Sequence, residues 1–203
     1  MLEKLIETLH DDHKLGLILL AQMGGTPEEV QLMVQMADYD AEKDAIKPDP
    51  TVYLLRCLGV QEHRLSLGFF NRMVLVEDHP LLWHHNFPFQ QIYFKGEPTN
   101  IDELMLALSQ LYGQLYGKFR NLADDLNLAV PLGTLLAGGY GLLGEMPLPL
   151  ANTVKGLLEQ YGLTVNFVES ETDEPPDFKL LVMDDTYFIG QIFNAEPLQG
   201  RPS

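Results

Sequence analysis

The sequence predicts an α+β fold, in which a mainly helical N-terminal three-quarters precedes a small C-terminal three-stranded antiparallel meander. Apolar residues recur at three- and four-residue spacing through most of residues 1–161, and from residue 163 they alternate with a period of two. Helices that come before strands along a chain are typical of α+β proteins rather than of alternating βαβ folds.

Two amphipathic helices are expected at the N-terminus. Residues 2–22 carry leucine and isoleucine at helical spacing, and two glycines at 24 and 25 end the pattern. Thr26 and Pro27, with a glutamate three residues after the threonine, have the order of an N-cap, a first helical proline and a capping box. We therefore predict a second helix over residues 27–45.

The middle of the chain contains one ambiguous segment and one clear helix. A short helix is expected from Asp49 to Gly59, while residues 60–78 fit a helix, which we favour, or a buried strand at 72–76. Residues 87–95 are expected to be extended. The clearest helix spans residues 101–126, begins with an Asn100 cap, and carries small residues four apart that predict a close helix crossing. These small residues are Ser109, Gly113 and Gly117.

The C-terminal part is expected to be the meander. A short helix after Pro147 ends near Tyr161, and strands follow over residues 163–168, 178–183 and 187–193, with a turn at Asp184 and Asp185. The acidic connection 169–177 should be a solvated loop. The sequence thus predicts one globular domain, 1–203, with a helical portion 1–161, a β-meander 163–194 and a short flexible tail 195–203.

Composition limits the classes of function. The 203 residues include 46% hydrophobics, and the net charge is −16. Residues 1–50 and 159–203 each have a net charge of −7, around a middle of −2. This charge argues against direct nucleic-acid binding and against an anionic membrane surface. The single cysteine, Cys57, excludes an internal disulfide, and without a basic leader the expected location is cytoplasmic.

Histidines are the candidate metal ligands. Imidazole and carboxylate groups bind zinc, iron or manganese, and two histidines three residues apart on a helix can present donors to one ion. Ordinary buried or loop histidines are the favoured alternative, and no cofactor is predicted. The candidate ligands are His10, His13, His79, His84 and His85.

Two apolar stretches have alternative interpretations. Residues 139–144 match G-x-G-x-x-G, but the prolines that follow exclude the helix that dinucleotide binding requires. The uncharged run 126–144 is interpreted as a buried or hinged core segment rather than a membrane span, since its flanks are acidic.

An aromatic group could capture a partner peptide beside an edge strand or belong to the core. That group is Trp83, Phe87, Phe89 and Tyr93.

The sequence contains no intact catalytic motif. We therefore predict a non-catalytic cytoplasmic interaction module, either an adaptor, an assembly chaperone or an inhibitor, whose partner is another, basic protein. A metal-dependent enzyme that uses the histidines and nearby aspartates is the alternative. A third hypothesis is an acidic mimic of nucleic acid.

Overall fold

The computed structural model describes residues 1–11, 13–40, 42–169 and 177–198. It is 28% helical and 44% strand and contains three antiparallel sheets. The α+β content is therefore confirmed, but a mainly helical N-terminal three-quarters is wrong. The chain divides into two compact units, one formed by Met1–His79 with Asp177–Ser203 and the other by Pro80–Pro176. A single domain over 1–203 stays a prediction.

The helices and strands of the described residues follow in chain order. They are α1 (Leu2–Thr8), β1 (Lys14–Met23), β2 (Val30–Asp40), β3 (Ala45–Leu58), β4 (Glu62–Arg64), β5 (Phe69–Phe70), β6 (Met73–Val76), a 3₁₀ turn (Pro80–Leu82), α2 (Trp83–Asn86), β7 (Phe89–Lys95), α3 (Ile101–Tyr116), a 3₁₀ turn (Leu122–Asp124), α4 (Leu132–Ala137), β8 (Tyr140–Pro147), α5 (Leu148–Gln160), β9 (Thr164–Glu169), β10 (Lys179–Met183), β11 (Thr186–Gly190) and β12 (Ile192–Leu198).

The first unit contains two sheets and α1. The strand order is β12-β3-β2-β1-β5 in the larger sheet and β4-β11-β10-β6 in the smaller one. Their buried side chains join one hydrophobic cluster, to which α1 contributes its leucines. Leu32 and Leu55 of the larger sheet and Phe188 of the smaller one are fully buried in this cluster.

A β-hairpin replaces the two helices that were predicted over residues 2–22 and 27–45. The first helix ends at Thr8, and β1 and β2 pair along almost their whole length. Alternate residues of β2 are buried, which is the period of a strand. The same apolar residues also satisfy helical spacing over this short window, so the pairing of the two segments decides the structure.

Strands also replace the predicted helices over residues 49–59 and 60–78. The first of these segments lies mostly in β3, which pairs with β2 and β12. The second forms β4, β5 and β6, so the alternative of a strand at 72–76 is confirmed by β6. Apart from the pairing of β3 with the preceding β2, both segments gain their backbone hydrogen bonds from strands distant in sequence, which local spacing does not reveal.

The second unit has the sheet order β8-β7-β9, against which α5 packs, while α3 contacts α4 and α5. The extended segment 87–95, the start of α3 and the helix before Tyr161 are confirmed. Asn100 caps α3 by accepting a hydrogen bond from the Glu103 N–H. The helix ends at Tyr116 rather than at 126, because the chain turns at Gly117 with φ +57°.

The close helix crossing predicted at Ser109, Gly113 and Gly117 is wrong. A Cβ atom added at either glycine would have no neighbour within 4 Å in the described parts of the chain. The uncharged run 126–144 is divided among a loop, α4 and the start of β8. No helix in the described ranges is both long and apolar enough to cross a membrane.

The predicted C-terminal meander is confirmed only at the second of its two hairpins. Strands β10 and β11 pair around the turn at Asp184, whose φ is +48°. However, β9 pairs with β7 and β12 pairs with β3, so the three-stranded meander is wrong. Strand β12 includes the first four residues of the predicted tail 195–203. Residues 199–203 and 170–176, the latter in the predicted acidic loop, lie outside the described residues.

Candidate functional site

The five candidate metal ligands are distributed over both units. His10, His13 and His79 belong to the first unit, and His84 and His85 lie on α2 of the second. The first two are exposed, and burial lowers the pKa of His79. In the described ranges no group of three or more His, Cys, Asp or Glu residues could hold a metal ion. A zinc, iron or manganese site therefore stays a prediction without a defined set of ligands.

The aromatic candidates lie on α2 and β7 and between them. Trp83 and Phe89 are half-buried, and Phe87 and Tyr93 are 40% and 38% exposed. Strand β7 is the central strand of its sheet and pairs with β8 on one side and β9 on the other. The suggestion of an edge strand here is wrong, because both sides of the β7 backbone are already hydrogen-bonded. Partner binding by these side chains stays a prediction.

A buried carboxylate, Asp125, is the centre of a polar cluster in the second unit. Its side chain is 2% exposed, and its Oδ1 lies 2.9 Å from His84 Nε2 and 3.1 Å from Arg120 Nη2. The Tyr112 hydroxyl donates to its Oδ2 at 2.9 Å. We call these four residues the buried carboxylate cluster. An ionised carboxylate only accepts hydrogen bonds, and it here receives three donors.

Charge and burial determine the ionisation of this cluster. Burial acts to raise the pKa of Asp125, but the hydrogen bonds and charges of His84 and Arg120 outweigh it, so the pKa lies below its ordinary value. Burial, reinforced by the neighbouring carboxylate, raises the pKa of Tyr112. At neutral pH the cluster therefore contains an ionised carboxylate and a neutral phenol.

The backbone beside the cluster explains one glycine of the G-x-G-x-x-G sequence. The segment after α3 crosses β8 at an isolated bridge between Leu126 and Gly144. Glu145 N donates to Asp125 O at 3.1 Å, and a Cβ atom at Gly144 would lie 2.1 Å from that oxygen. This glycine therefore permits the close backbone approach at Asp125, whose carboxylate contacts His84 of α2 and Tyr112 of α3.

The buried carboxylate cluster connects three segments of the second unit. The His84 side chain is 4% exposed, and its Nδ1 is buried without a hydrogen-bond partner among the described residues. A pocket of about 370 Å³ beside the cluster is lined in part by Arg120, Asp125 and Glu145 but not by His84. The cluster joins α2, α3 and the segment after α3.

A second feature lies in the first unit, where part of β1 has no neighbouring strand. Strand β5 pairs only with Gly16 and Leu17 of β1, and Ile18 N donates to Gly68 O at 3.1 Å. Beyond this point, no strand of the described chain pairs with the outer side of β1. We call the outer side of residues 19–23 the open β1 edge.

The open β1 edge presents both backbone and apolar groups. Gly24 N donates to Glu29 O at 2.7 Å, so the backbone groups of Gly24 face β2. Since the backbone groups of successive strand residues face opposite sides, the register with β2 places the N–H and C=O groups of Ala21 and Met23 on the outer side. The exposed fractions are 44% for Leu19, 43% for Leu20 and 59% for Met23. Residues 15–25 contain no charged side chain. The open β1 edge therefore combines outward backbone groups with exposed apolar side chains in an uncharged stretch.

The opposite edge of the same sheet differs in chemistry. Strand β12 carries Glu196 and Pro197, both exposed. Charged residues and proline on an edge strand oppose pairing with another chain. The open β1 edge has neither, and its one irregularity is a bulge between Ile18 and Leu20, at its first residue. Sequence reasoning missed this edge because it assigned residues 2–22 to a helix.

Comparison of the chain with protein-family models, with curated proteins and with solved structures gives no match.

Proposed function

We propose that the protein is a non-catalytic interaction module that binds an extended protein segment as an added strand on the open β1 edge. The outward N–H and C=O groups of Ala21 and Met23, in a stretch without charge, are the observation that carries this proposal. Added strands gain affinity from such main-chain hydrogen bonds and specificity from alternate side chains. Adaptor, assembly chaperone and inhibitor roles all use this same event.

The contrast between the two edges of the sheet supports the assignment. Soluble proteins protect exposed edges with charge or proline, as β12 does with Glu196 and Pro197. An unprotected edge with exposed leucine and methionine is an aggregation hazard unless a specific partner covers it. The closed environment of His84, with its side chain 4% exposed, also supports a role other than catalysis. The cytoplasmic location and a basic partner remain predictions from the sequence.

Site-specific photo-crosslinking in cells tests the proposal. The photo-reactive residue p-benzoyl-phenylalanine is introduced at Met23, which is 59% exposed, and in a matched control at Leu106, which is 58% exposed on α3. We expect a discrete adduct of defined mass from position 23 and not from position 106. The adduct should disappear when Ala21→Pro removes one outward N–H without removing a hydrogen bond to β2. Adducts of equal yield from both positions, or none from position 23, would refute the function.

A further inference from the structure

We infer that the added strand is β1 of a second copy of this chain, an inference that rests on the proposed strand addition. The two larger sheets then form one continuous antiparallel sheet across a two-fold axis. Each chain carries a net charge of −16, so two copies repel one another overall, and the dimer has to form where local repulsion is smallest. The open β1 edge lies in the uncharged stretch 15–25 and allows a second copy to approach.

The backbone is complementary to itself in one register. With Ala21 opposite Met23 of the second copy, the outward N–H and C=O groups of both residues on both chains are all paired, in four hydrogen bonds. Gln22 then faces Gln22 of the second copy on the two-fold axis. The register with Ala21 opposite Ala21 would place Met23 against Leu19, where the β1 bulge interrupts the regular alternation.

The side chains agree with this register. Met23, 59% exposed, would cover Ala21 of the second copy, a residue that packs against the hydrophobic cluster of the first unit. On the other face, Gln22 already donates to Gln31 Oε1 at 3.0 Å. Pairing of Gln22 with its equivalent would extend this row of amides across the axis. The paired segment is short, so we expect a dissociation constant in the micromolar range, about 1–100 µM.

Cysteine crosslinking tests the register. In the proposed dimer, the two Gln22 Cα atoms form a non-hydrogen-bonded pair about 4.5 Å apart, which suits a disulfide. We expect Gln22→Cys to give a covalent dimer under mild oxidation. Gln31→Cys, one strand farther from the axis on each chain, should not, because its two sulfur atoms would lie roughly 10 Å farther apart. Cys57 is fully buried and should not react in either variant.

The oligomeric state tests the dimer independently. Light scattering of the intact protein at about 1–200 µM should give a mass that rises from one chain of 22.9 kDa towards two. Met23→Lys adds a charge to an exposed position of the edge and should raise the dissociation constant at least about tenfold with unchanged circular dichroism.

The outcomes separate the dimer from the strand-addition function. A single-chain mass throughout this range would overturn the dimer, and equal crosslinking of Gln22→Cys and Gln31→Cys would overturn the register. If the mass is that of a single chain, an adduct at Met23 with the mass of another protein would still leave the proposed function in place. If no adduct formed at Met23, the dimer and the proposed function would both be wrong.

Discussion

Replacing Asp125 by asparagine removes the charge from the buried carboxylate cluster while it keeps the shape of the side chain. The amide offers one acceptor oxygen and one donor NH₂ group. One neutral amide oxygen would then replace the charged carboxylate as acceptor for the three donors around Asp125, and the Tyr112 hydroxyl would have to turn and accept from the new NH₂ group. Those donors are His84 Nε2, Tyr112 Oη and Arg120 Nη2. The Arg120 guanidinium would also lose its buried counter-charge.

The expected loss in the free energy of unfolding is about 3 kcal/mol. A hydrogen bond to a charged group contributes about 1.5–3 kcal/mol, and breaking a buried ion pair costs about 3–5 kcal/mol. Arg120 is 20% exposed, so water compensates part of the loss, and the lower end of this range applies. With a urea dependence of about 1–3 kcal/mol per molar, the unfolding midpoint should fall by roughly 1–3 M.

Urea unfolding monitored by tryptophan fluorescence measures this loss. The single tryptophan, Trp83, lies beside His84 on α2 and therefore reports on the second unit. Glu159→Gln is the matched control, because Glu159 is 51% exposed and lies 3.9 Å from Lys155 across one helical turn. Such a surface pair contributes no more than about 0.5 kcal/mol. Equal midpoints for the two variants would refute the assigned importance of the cluster.

The effect of Asp125→Asn should depend on pH. The pKa of Asp125 in the folded protein lies below its ordinary value of 3.8. The stabilisation is therefore fully present above pH 3.8 and is lost as the pH falls through the folded-state pKa. We expect the stability difference between wild type and variant to shrink in acid, as the pH falls below 3.8. A difference that grew below pH 3.8 would contradict the assignment.

Three further predictions follow from single contacts. In thermal unfolding, Gly144→Ala should lower the stability by about 1–3 kcal/mol, because its Cβ would meet a backbone oxygen at 2.1 Å. Gly156→Ala, where the added Cβ lies in open space on α5, should raise the stability by about 0.5–1 kcal/mol. Tyr112→Phe should cost about 1–2 kcal/mol, and Tyr116→Phe close to nothing, because only the Tyr112 hydroxyl bonds the buried carboxylate. Equal losses for the two tyrosines would contradict this difference. Burial raises the pKa of Cys57 to about 12, so a thiol reagent should label Cys57 only after denaturation. Rapid labelling of the folded protein would contradict this prediction.

Local signals in the sequence were sufficient for elements whose boundaries depend on neighbouring residues. The Asn100 cap predicted the start of α3, Pro147 and Gly162 enclosed α5, and the two aspartates at 184 and 185 predicted the β10–β11 turn. Each of these signals acts within a few residues, through a side-chain cap, a restricted φ or a turn. They required no knowledge of the partner strands.

The candidate sites depend on contacts that the sequence does not indicate. His84 and Asp125 are 41 residues apart, and His84 was considered as a metal ligand or an ordinary loop histidine but not as the partner of a buried carboxylate. The open β1 edge depends on where β5 ends, since its pairing with β1 covers only two residues. No local spacing predicts how far a neighbouring strand extends.

The sequence by itself determined the acidic charge, the absence of a disulfide and the α+β content. It also determined the start of α3, the limits of α5 and the β10–β11 turn. The tertiary structure decided that residues 14–58 form three long strands, because their apolar residues satisfy the helical and the strand period alike. An isolated hairpin or helix of this length is marginally stable in water. Burial of one sheet face against a second sheet and α1 selects the strands, and it leaves the outer side of β1 open.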